Sequence, residues 1–171
     1  MNKKTQKTMF SSKSVEWATP QKFYDILNEE YEFTLDPCAT ADTAKCDKYF
    51  TEQDDGLSQD WTGHTVFMNP PYGRGIKHWI KKAWDSSREK NTTVICLIPA
   101  RTDTKYWHEY CMKAHRIFFI KGRLKFGDGS NSAPFPSAII EFKRDLPAVF
   151  NGGNYPKLYT MDMKGKRGRG Y

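Results

Sequence analysis

Two consecutive prolines, Pro70 and Pro71, constrain the fold of this chain more than any other feature. They follow four apolar or β-branched residues, Thr65–Met68, which have the length and composition of a buried strand. Proline lacks an N–H and biases the residue before it toward extended geometry. The strand must therefore end here, with Asn69 in an extended conformation. In an open α/β sheet, ligands bind in the crevice beyond the carboxyl ends of the strands. The sequence therefore predicts a functional site that contains the Asn69 amide, unpaired backbone carbonyls and the ring of Tyr72.

The residues of this site are suited to an exocyclic amine. Asn69 supplies a side-chain carbonyl, and the backbone carbonyls of Asn69 and Pro70 share the same small space. Acceptors placed on both hydrogens of a planar NH2 group favour the tetrahedral nitrogen that nucleophilic attack requires. The Tyr72 ring can stack on the heterocycle that carries the amine. An ordinary turn before a helix is the alternative interpretation, and two prolines alone would favour it.

In these residues the chain resembles a known family. Asn-Pro-Pro-Tyr is the motif of S-adenosylmethionine-dependent amino-methyltransferases, and the surrounding chain is similar to the short phage-type DNA N6-adenine methyltransferases. The tetrapeptide is shared with protein-glutamine and some RNA methyltransferases, but the ordered set of motifs is more specific. The similarity extends from about Trp17 to Phe142 and includes these segments: Trp17-Ala18-Thr19-Pro20, Asp36-Pro37-Cys38-Ala39, Asp55-Gly56-Leu57, Asn69-Pro70-Pro71-Tyr72, Pro99-Ala100-Arg101-Thr102-Asp103-Thr104 and Gly122-Arg123-Leu124-Lys125-Phe126-Gly127.

The resemblance implies an α/β fold, the Rossmann-like S-adenosylmethionine-dependent methyltransferase fold, with a mostly parallel sheet and an antiparallel C-terminal hairpin. It implies catalysis without a metal by Asn69, Pro70, Pro71 and Tyr72. S-adenosyl-L-methionine is the implied cofactor, and the residues implied to bind it are Thr19, Pro20, Asp36, Pro37, Cys38, Asp55 and Asn69. Related methyltransferases usually have a glycine in the turn after Asp-Pro, whereas this chain has none there.

The implied partner is DNA, in which the target adenine must be flipped out or single-stranded because its amine otherwise lies within the duplex stack. We expect Phe126 to stack on the extruded base opposite Tyr72. Arg116 and Lys121 are expected to join the same basic, aromatic-rich patch. The residues predicted to bind DNA are Arg74, Arg101, Arg123, Lys125 and Phe126. A separate recognition domain does not fit in this length, so we expect specificity from the 127–134 loop, the basic hairpin, the tails or a second subunit, as in a homodimer.

The positive charge is concentrated at the two ends of the chain. Of 27 basic and 20 acidic residues, residues 1–14 hold four lysines and residues 164–171 hold four Lys or Arg, with no acid in either segment. Subtracting these eight leaves 19 basic against 20 acidic residues, a charge of −1. We therefore predict a disordered basic arm over 1–14, a methyltransferase domain over 15–145, where the fold ends, and a basic Gly/Lys/Arg-rich tail over 146–171. Such arms bind phosphates without reading sequence.

Local patterns predict the elements that carry these residues. Thr19 suits an N-cap and Pro20 the first position of a helix that extends to Glu30. Further helices are predicted over 76–87 and 103–112, and strands over 31–35, 48–51, 65–68, 92–98, 116–120, 122–126 and 136–142. His108, Cys111 and His115 have a spacing that suggests a metal, but no fourth ligand is near, so we predict core packing.

Two alternatives remain open from the residues. The same chemistry can act on RNA, cytosine or a protein amide, although cytosine-directed relatives usually have Ser in place of Asn69. The chain can also be a catalytically silent nucleic-acid-binding module, which the intact motif disfavours and the glycine-free turn after Asp36 leaves open. No apolar run reaches 18 residues and no signal-type segment is present, so we expect a cytoplasmic protein of a bacterial or phage-infected cell, with reduced thiols.

Overall fold

The computed structural model describes residues 17–127, 129–130, 132–144 and 156–168. The arm predicted over 1–14 lies outside these residues, as do residues 146–155 and 169–171 of the predicted tail. The described elements, in chain order, are α1 (Gln21–Tyr31), β1 (Thr65–Met68), α2 (Ile76–Ser86), β2 (Thr93–Pro99), α3 (Lys105–Glu109), a 3-10 turn (Cys111–Lys113), β3 (Arg116–Ile120), β4 (Ser137–Lys143), β5 (Lys157–Met161) and β6 (Arg167–Gly168).

The six strands form one mixed sheet in the order β1-β2-β4-β3-β5-β6. The β1–β2 and β3–β5 pairs are parallel, whereas β2–β4, β3–β4 and β5–β6 are antiparallel. It follows that β1, β2, β3 and β5 run in one direction and that β4 and β6 run in the other. The mixed α/β architecture, the mostly parallel strand direction and the antiparallel β3–β4 hairpin agree with the prediction.

Helices cover both faces of the sheet. On one face, α1 buries Phe23 and Leu27 against alternate residues of the strands, among them Phe67 and Ile95. On the other face, α2 and α3 pack on the intervening strand residues, and Trp79 of α2 is completely buried. Six of the seven β2 residues are buried because both of its neighbours are strands and both of its faces are covered. This burial on both faces explains why the sequence of β2 is continuously apolar.

Two predicted strands are reduced to isolated bridges. The helix α1 continues through Tyr31, and the chain then turns at Glu32, whose φ of 51° lies in the left-handed region. The side chain of Asn28 accepts a hydrogen bond from the Phe33 N–H at 2.8 Å and so fixes this turn. The strand predicted over 31–35 is therefore wrong at its start, and only Leu35 and Asp36 bridge to neighbouring chain segments. In the strand predicted over 48–51, only Tyr49 makes a bridge.

Two other predicted elements also differ. The helix predicted over 103–112 is divided into the five residues of α3 and the 3-10 turn. The strand predicted over 122–126 is irregular, because Gly122 adopts a φ of 90° and ends the extended geometry of β3. The connection between β3 and β4, residues 121–136, is therefore irregular in its described parts, 121–127, 129–130 and 132–136.

The prediction that the fold ends at Asp145 is wrong. The strand β5 pairs with the whole length of β3, and its last residue, Met161, is 1% exposed. The strand β6 pairs with β5, and Arg167 in β6 forms an ion pair with Glu30 of α1. The guanidinium of Arg167 also lies 4.8 Å from the centre of the Phe118 ring. Part of the predicted basic tail is thus folded onto the sheet.

None of the helices in the described part of the chain has the length and hydrophobicity needed to span a bilayer.

Candidate active site

The Asn-Pro-Pro-Tyr motif directly follows β1, as the sequence predicts. The parallel strands β1 and β2 end at the same edge of the sheet, so Asn69 and the 100–104 segment lie at that edge. The prolines leave no N–H with which to continue the ladder, and α2 begins at Ile76. This geometry leaves the polar atoms of Asn69 available for contacts outside the sheet.

The side chain of Asn69 is held by three hydrogen bonds. Its Nδ2 group donates to the backbone carbonyl of Trp17 at 2.8 Å and to Oγ1 of Thr19 at 2.9 Å. Its Oδ1 accepts the hydroxyl of Tyr72 at 2.7 Å. A carbonyl oxygen can only accept, so the amide nitrogen must face Trp17 and the amide oxygen must face Tyr72. The orientation of the Asn69 amide is thus determined by its partners.

The ring of Tyr72 belongs to an aromatic cluster, which consists of Trp17, Tyr72, Phe126 and Phe135. The Trp17 and Tyr72 rings are stacked, with centroids 6.3 Å apart, and Phe126 and Phe135 contact Tyr72 edge-on at 6.2 and 5.4 Å. Phe126 is 4% exposed. The structure therefore brings Tyr72 and Phe126 together, as expected for the two base-stacking residues, but in direct edge-to-face contact. A base can enter between the two rings only if they separate.

Burial, followed by the proximity of Cys38 and Tyr106, raises the pKa of Tyr72 well above its ordinary value. The phenol is consequently neutral near pH 7, and its hydroxyl is a hydrogen-bond donor. Its contact with Oδ1 of Asn69 requires this protonation state, because the amide oxygen is an acceptor.

The carboxylate of Asp36 is buried beside the motif. Its oxygens accept the backbone N–H groups of Cys38 at 3.4 Å and Lys45 at 3.2 Å, which closes the loop that follows Asp36. Burial raises the pKa of Asp36 to about 6, although these two hydrogen bonds act in the opposite direction. The loop is also joined to α1, because Nζ of Lys45 donates to Oε1 of Gln21 at 2.8 Å. Within the described residues, the carboxylate makes no hydrogen bond to another side chain.

Cys38 connects the Asp36 turn to the Asn-Pro-Pro-Tyr motif. The backbone N–H of Asn69 donates to its sulfur, and the thiol packs with Tyr72 against the core below the motif. Burial raises the pKa of Cys38 well above its ordinary value. Cys38 is thus a neutral thiol in contact with the backbone of Asn69.

The turn at Asp55 lies against the Asp36-Pro37 turn. A Cβ atom on Gly56 would come within 1.9 Å of the Pro37 carbonyl oxygen, so only glycine permits this approach. The turn after Asp36 contains no glycine of its own, and the glycine that allows close packing there comes from the next loop. Asp55 has a φ of 51°, a strained conformation for a residue with a side chain. Its Oδ1 atom is buried and has no hydrogen-bond partner among the described residues.

The helix start differs from the prediction. The helix α1 begins at Gln21, Pro20 is its N-cap with extended geometry, and no side chain caps it. The predicted N-cap role of Thr19 is therefore wrong, and the Thr19 hydroxyl binds Asn69 instead. This contact joins residues that are 50 positions apart. Local sequence signals do not contain it.

The residues predicted to bind DNA divide into two groups. Arg74, Arg101, Arg123 and Lys125 are exposed, and none of them takes part in the ion pairs found within the described ranges. Phe126 is buried in the aromatic cluster, where its ring contacts Tyr72 of the motif edge-on. The exposed and buried positions alternate along the connection, because Leu124 and Phe126 point inward while Arg123 and Lys125 point outward.

Arg116 does not belong to the exposed basic patch. Its Nε group donates to Oε2 of the buried Glu141 at 2.6 Å, and its terminal nitrogen lies 3.5 Å from Oε1 of Glu30. The hydroxyl of Tyr31 donates to the same oxygen of Glu141 at 2.9 Å. The expectation for Arg116 is wrong because its partner is directly opposite on β4, a pairing that depends on strand register.

The predicted core packing of His108, Cys111 and His115 holds only in part. Cys111 is completely buried, His115 is partly buried and His108 is exposed. The three residues do not share one helix, because α3 ends at Glu109. No cluster of three or more His, Cys, Asp or Glu residues in the described part of the chain has a geometry suited to a metal ion.

Sequence reasoning missed the contacts of Trp17 and the place of Phe135. The sequence indicates Trp17 only as part of a motif, whereas in the structure its carbonyl orients Asn69 and its ring packs on Tyr72. Phe135 comes from the 121–136 connection and contacts both of these rings. No local signal indicates Phe135, because residues 127–134, which separate it from Phe126, contain no aromatic residue.

Comparison with known proteins gives consistent matches. Residues 6–145 match the family described as DNA N-6-adenine-methyltransferase (Dam). The DNA N-6-adenine-methyltransferase of Haemophilus phage HP1 (strain HP1c1) is 26% identical over 158 residues, which cover 87% of this chain and 90% of that protein. The protein YfdM of Escherichia coli (strain K12) is 34% identical over 64 residues, which cover 33% of this chain and 70% of YfdM.

Proposed function

Because the chain belongs to the DNA N-6-adenine-methyltransferase (Dam) family and methylates the N6 amine of adenine in DNA, we propose that Asn69, Pro70, Pro71 and Tyr72 carry out this reaction at the carboxyl end of β1. The observation that supports the proposal most directly is the oriented amide of Asn69. Its two N–H groups are occupied, so that its oxygen is the atom directed toward the Tyr72 side of the site.

Hydrogen-bond capacity explains how this oxygen acts. An amide oxygen has two lone pairs, and the Tyr72 hydroxyl uses one of them. The second lone pair accepts one hydrogen of the adenine amine, and the carbonyl of Pro70 accepts the other. The amine is a poor nucleophile because its lone pair is shared with the ring. Acceptors on both hydrogens favour the tetrahedral nitrogen of the transition state, and the proton leaves to solvent after attack.

Contacts that support the choice of cofactor residues join Asn69 to Thr19 and Cys38, and bring the Asp55 turn against Pro37. The residues proposed for the cofactor are Thr19, Pro20, Asp36, Pro37, Cys38, Asp55 and Asn69. The unpartnered, buried Oδ1 of Asp55 fits a hydroxyl or amine donor of a bound ligand, which would satisfy an atom that is costly to leave unpaired. The uncapped N-terminus of α1 offers free N–H groups that fit a carboxylate. S-adenosyl-L-methionine supplies an electrophilic methyl group on its sulfonium when it is bound.

The Rossmann-like class is the fold that we propose for this arrangement. Support comes from the parallel bridges of Tyr49 to Asp36 and of Leu35 to Val66, which extend the β1 edge of the sheet. With β1 and β2, these bridges give four adjacent parallel segments, and helices cover both faces. The cofactor region then lies beyond the carboxyl ends of these segments, where ligands of open α/β sheets bind.

The exposed cations Arg74, Arg101, Arg123 and Lys125 are proposed to contact DNA phosphates. The target adenine must leave the stack to reach Asn69, which lies beside partly buried rings at the end of β1. Phe126 would contact the base after the rings of the aromatic cluster separate. The homodimer stays a prediction.

Replacing Asn69 by alanine tests this proposal. The variant should lose methyl transfer by about a hundredfold or more, because one oriented contact to the reacting group is worth roughly that much. Cofactor binding, measured by calorimetry, should persist. Asn91→Gly is a matched control, since Asn91 is exposed, has a φ of 57° that glycine tolerates, and precedes β2 at the opposite edge of the sheet. Labelled cofactor given with DNA, RNA and protein, followed by nucleoside analysis, identifies the acceptor. Full activity in the alanine variant would overturn the assignment.

A further inference from the structure

We infer that Thr19 is a positioning residue for methyl transfer, whose hydroxyl holds the Asn69 amide with its oxygen directed at the reacting amine. The inference rests on the proposed catalytic role of Asn69. Thr19 acts together with the carbonyl of Trp17. We call the three residues Trp17–Thr19 the strap. Thr19 itself needs no contact with the adenine for this role.

The donor count of Asn69 supports the inference. Its amide nitrogen has two hydrogens, and the strap accepts both, at 2.8 Å on the Trp17 carbonyl and at 2.9 Å on the Thr19 hydroxyl. Rotation of the amide by half a turn would place its oxygen against the Trp17 carbonyl, so that two acceptors would face each other. The same rotation would direct N–H groups at the amine, which also carries donors. Only the observed orientation presents an acceptor to the substrate.

The Thr19 hydroxyl has no other structural task that would explain its position. Threonine before a proline-led helix is a typical cap, but no side chain caps α1. Thr19 is 5% exposed, so its hydroxyl is withdrawn from water and needs a protein partner. Asn69 is the partner that the structure provides.

The strap is fixed at its other end by the aromatic cluster. The Gly127 N–H donates to the Ala18 carbonyl at 3.0 Å, and the Trp17 ring lies edge-on to Phe126 at 5.7 Å. The connection that carries the exposed Arg123 and Lys125 is therefore joined to Asn69 through the strap. Separation of the rings for base entry can leave the amide oriented, because the Thr19 contact does not involve them.

The substitution Thr19→Val removes the hydroxyl and keeps the shape of the side chain. The single-turnover rate at saturating DNA and cofactor should fall by about tenfold, since one Asn69 N–H loses its acceptor and the amide nitrogen is held by the Trp17 carbonyl alone. Thr19→Ser retains a hydroxyl and should restore most of the rate. Cofactor affinity, measured by calorimetry, should be unchanged in both variants, because the cofactor contact proposed at Thr19 and Pro20 is made by the backbone at the start of α1, which both substitutions keep. Thermal unfolding of each variant verifies that it is folded.

A double-variant cycle shows whether Thr19 acts through Asn69. In the Asn69→Ala background, Thr19→Val should cause no further loss, because there is no amide left to orient. An enzyme-excess, single-turnover assay keeps the low rates measurable. A normal rate for Thr19→Val, a loss confined to cofactor affinity, or an additional loss in the Asn69→Ala background would each overturn the inference. Full activity of Asn69→Ala alone would instead overturn the proposed function on which it rests.

Discussion

Replacing Arg116 by methionine should destabilise the protein by about 3 kcal/mol while leaving its DNA affinity unchanged. Arg116 looks like a DNA-binding cation in the sequence, but it is paired with Glu141 at 2.6 Å. The exposed fractions of the two side chains are 22% for Arg116 and 2% for Glu141. Methionine fills much of the same space and removes the charge, so the main consequence is a buried carboxylate without its cation.

The magnitude follows from the partners that remain. Breaking a buried ion pair by removing one member typically costs roughly 3–5 kcal/mol. Glu141 keeps the hydroxyl of Tyr31 at 2.9 Å, so we expect the lower end of that range. For a chain of this size, a loss of about 3 kcal/mol lowers Tm by roughly 6–12 °C. Urea unfolding and thermal unfolding measure these two quantities.

Arg123→Met is the matched control. Arg123 is exposed and is absent from the ion pairs of the described ranges, so its loss should change stability by no more than about 0.5 kcal/mol. It should weaken DNA binding and reduce the slope of log K against log salt by about 0.9. The double variant Arg116→Met with Glu141→Gln should regain much of the lost stability, because no buried charge is left unpaired. A stable Arg116→Met protein with a reduced salt slope would refute the reasoning.

Two further predictions concern the cofactor side of the site. Because the pKa of Asp36 is raised from 3.8 to about 6 in the folded protein, wild-type stability should fall as the pH rises between these values, and Asp36→Asn should lack this loss. Urea unfolding of both proteins at a series of pH values from 4 to 7 should show the wild type losing roughly 2 kcal/mol of stability relative to the variant, and parallel curves would contradict the assignment. Gly56→Ala should separate the Asp36 and Asp55 turns and weaken cofactor binding in calorimetry, since its Cβ would lie 1.9 Å from the Pro37 oxygen. Gly56→Ala should lower the free energy of unfolding by about 1–3 kcal/mol. Gly73→Ala, whose Cβ meets no atom within 4 Å, is the stability control. Unchanged cofactor affinity in Gly56→Ala would argue against cofactor binding at these two turns.

The parts of the fold that were predictable are those with a local cause. The run Thr65–Met68 forms β1 at the predicted residues, because the prolines that follow admit no other end. The buried face of α2 likewise has a local cause, since Ile76, Trp79, Ile80 and Ala83 have helical spacing and all are buried. In each case, neighbouring residues in the sequence contain the full reason for the structure.

The parts that were not predictable depend on distant partners. Arg116 has the pattern of an exposed strand residue, and only the register of β3 against β4 places Glu141 opposite it. The five residues of β5 lie in surroundings rich in Gly, Lys and Arg, and the pairing of β5 with β3 joins residues about forty positions apart. Thr19 carries a strong local signal for a cap, and the amide 50 residues later uses its hydroxyl instead.

The hydrogen-bond pattern of Asn69 also limits what the proposed site can select. The strap accepts both N–H groups of the Asn69 amide, and the Tyr72 hydroxyl uses one lone pair of its oxygen. The amide therefore presents a single acceptor, which suits a donor such as an exocyclic amine. A base that presents a carbonyl at this point, such as the O6 of guanine or the O4 of thymine, would set acceptor against acceptor. Cytosine, however, also carries an exocyclic amine, and the acceptor alone does not distinguish it from adenine. Discrimination between the two amines must therefore come from ring size and stacking, and the rings of the aromatic cluster around Tyr72 are the groups in position to provide it.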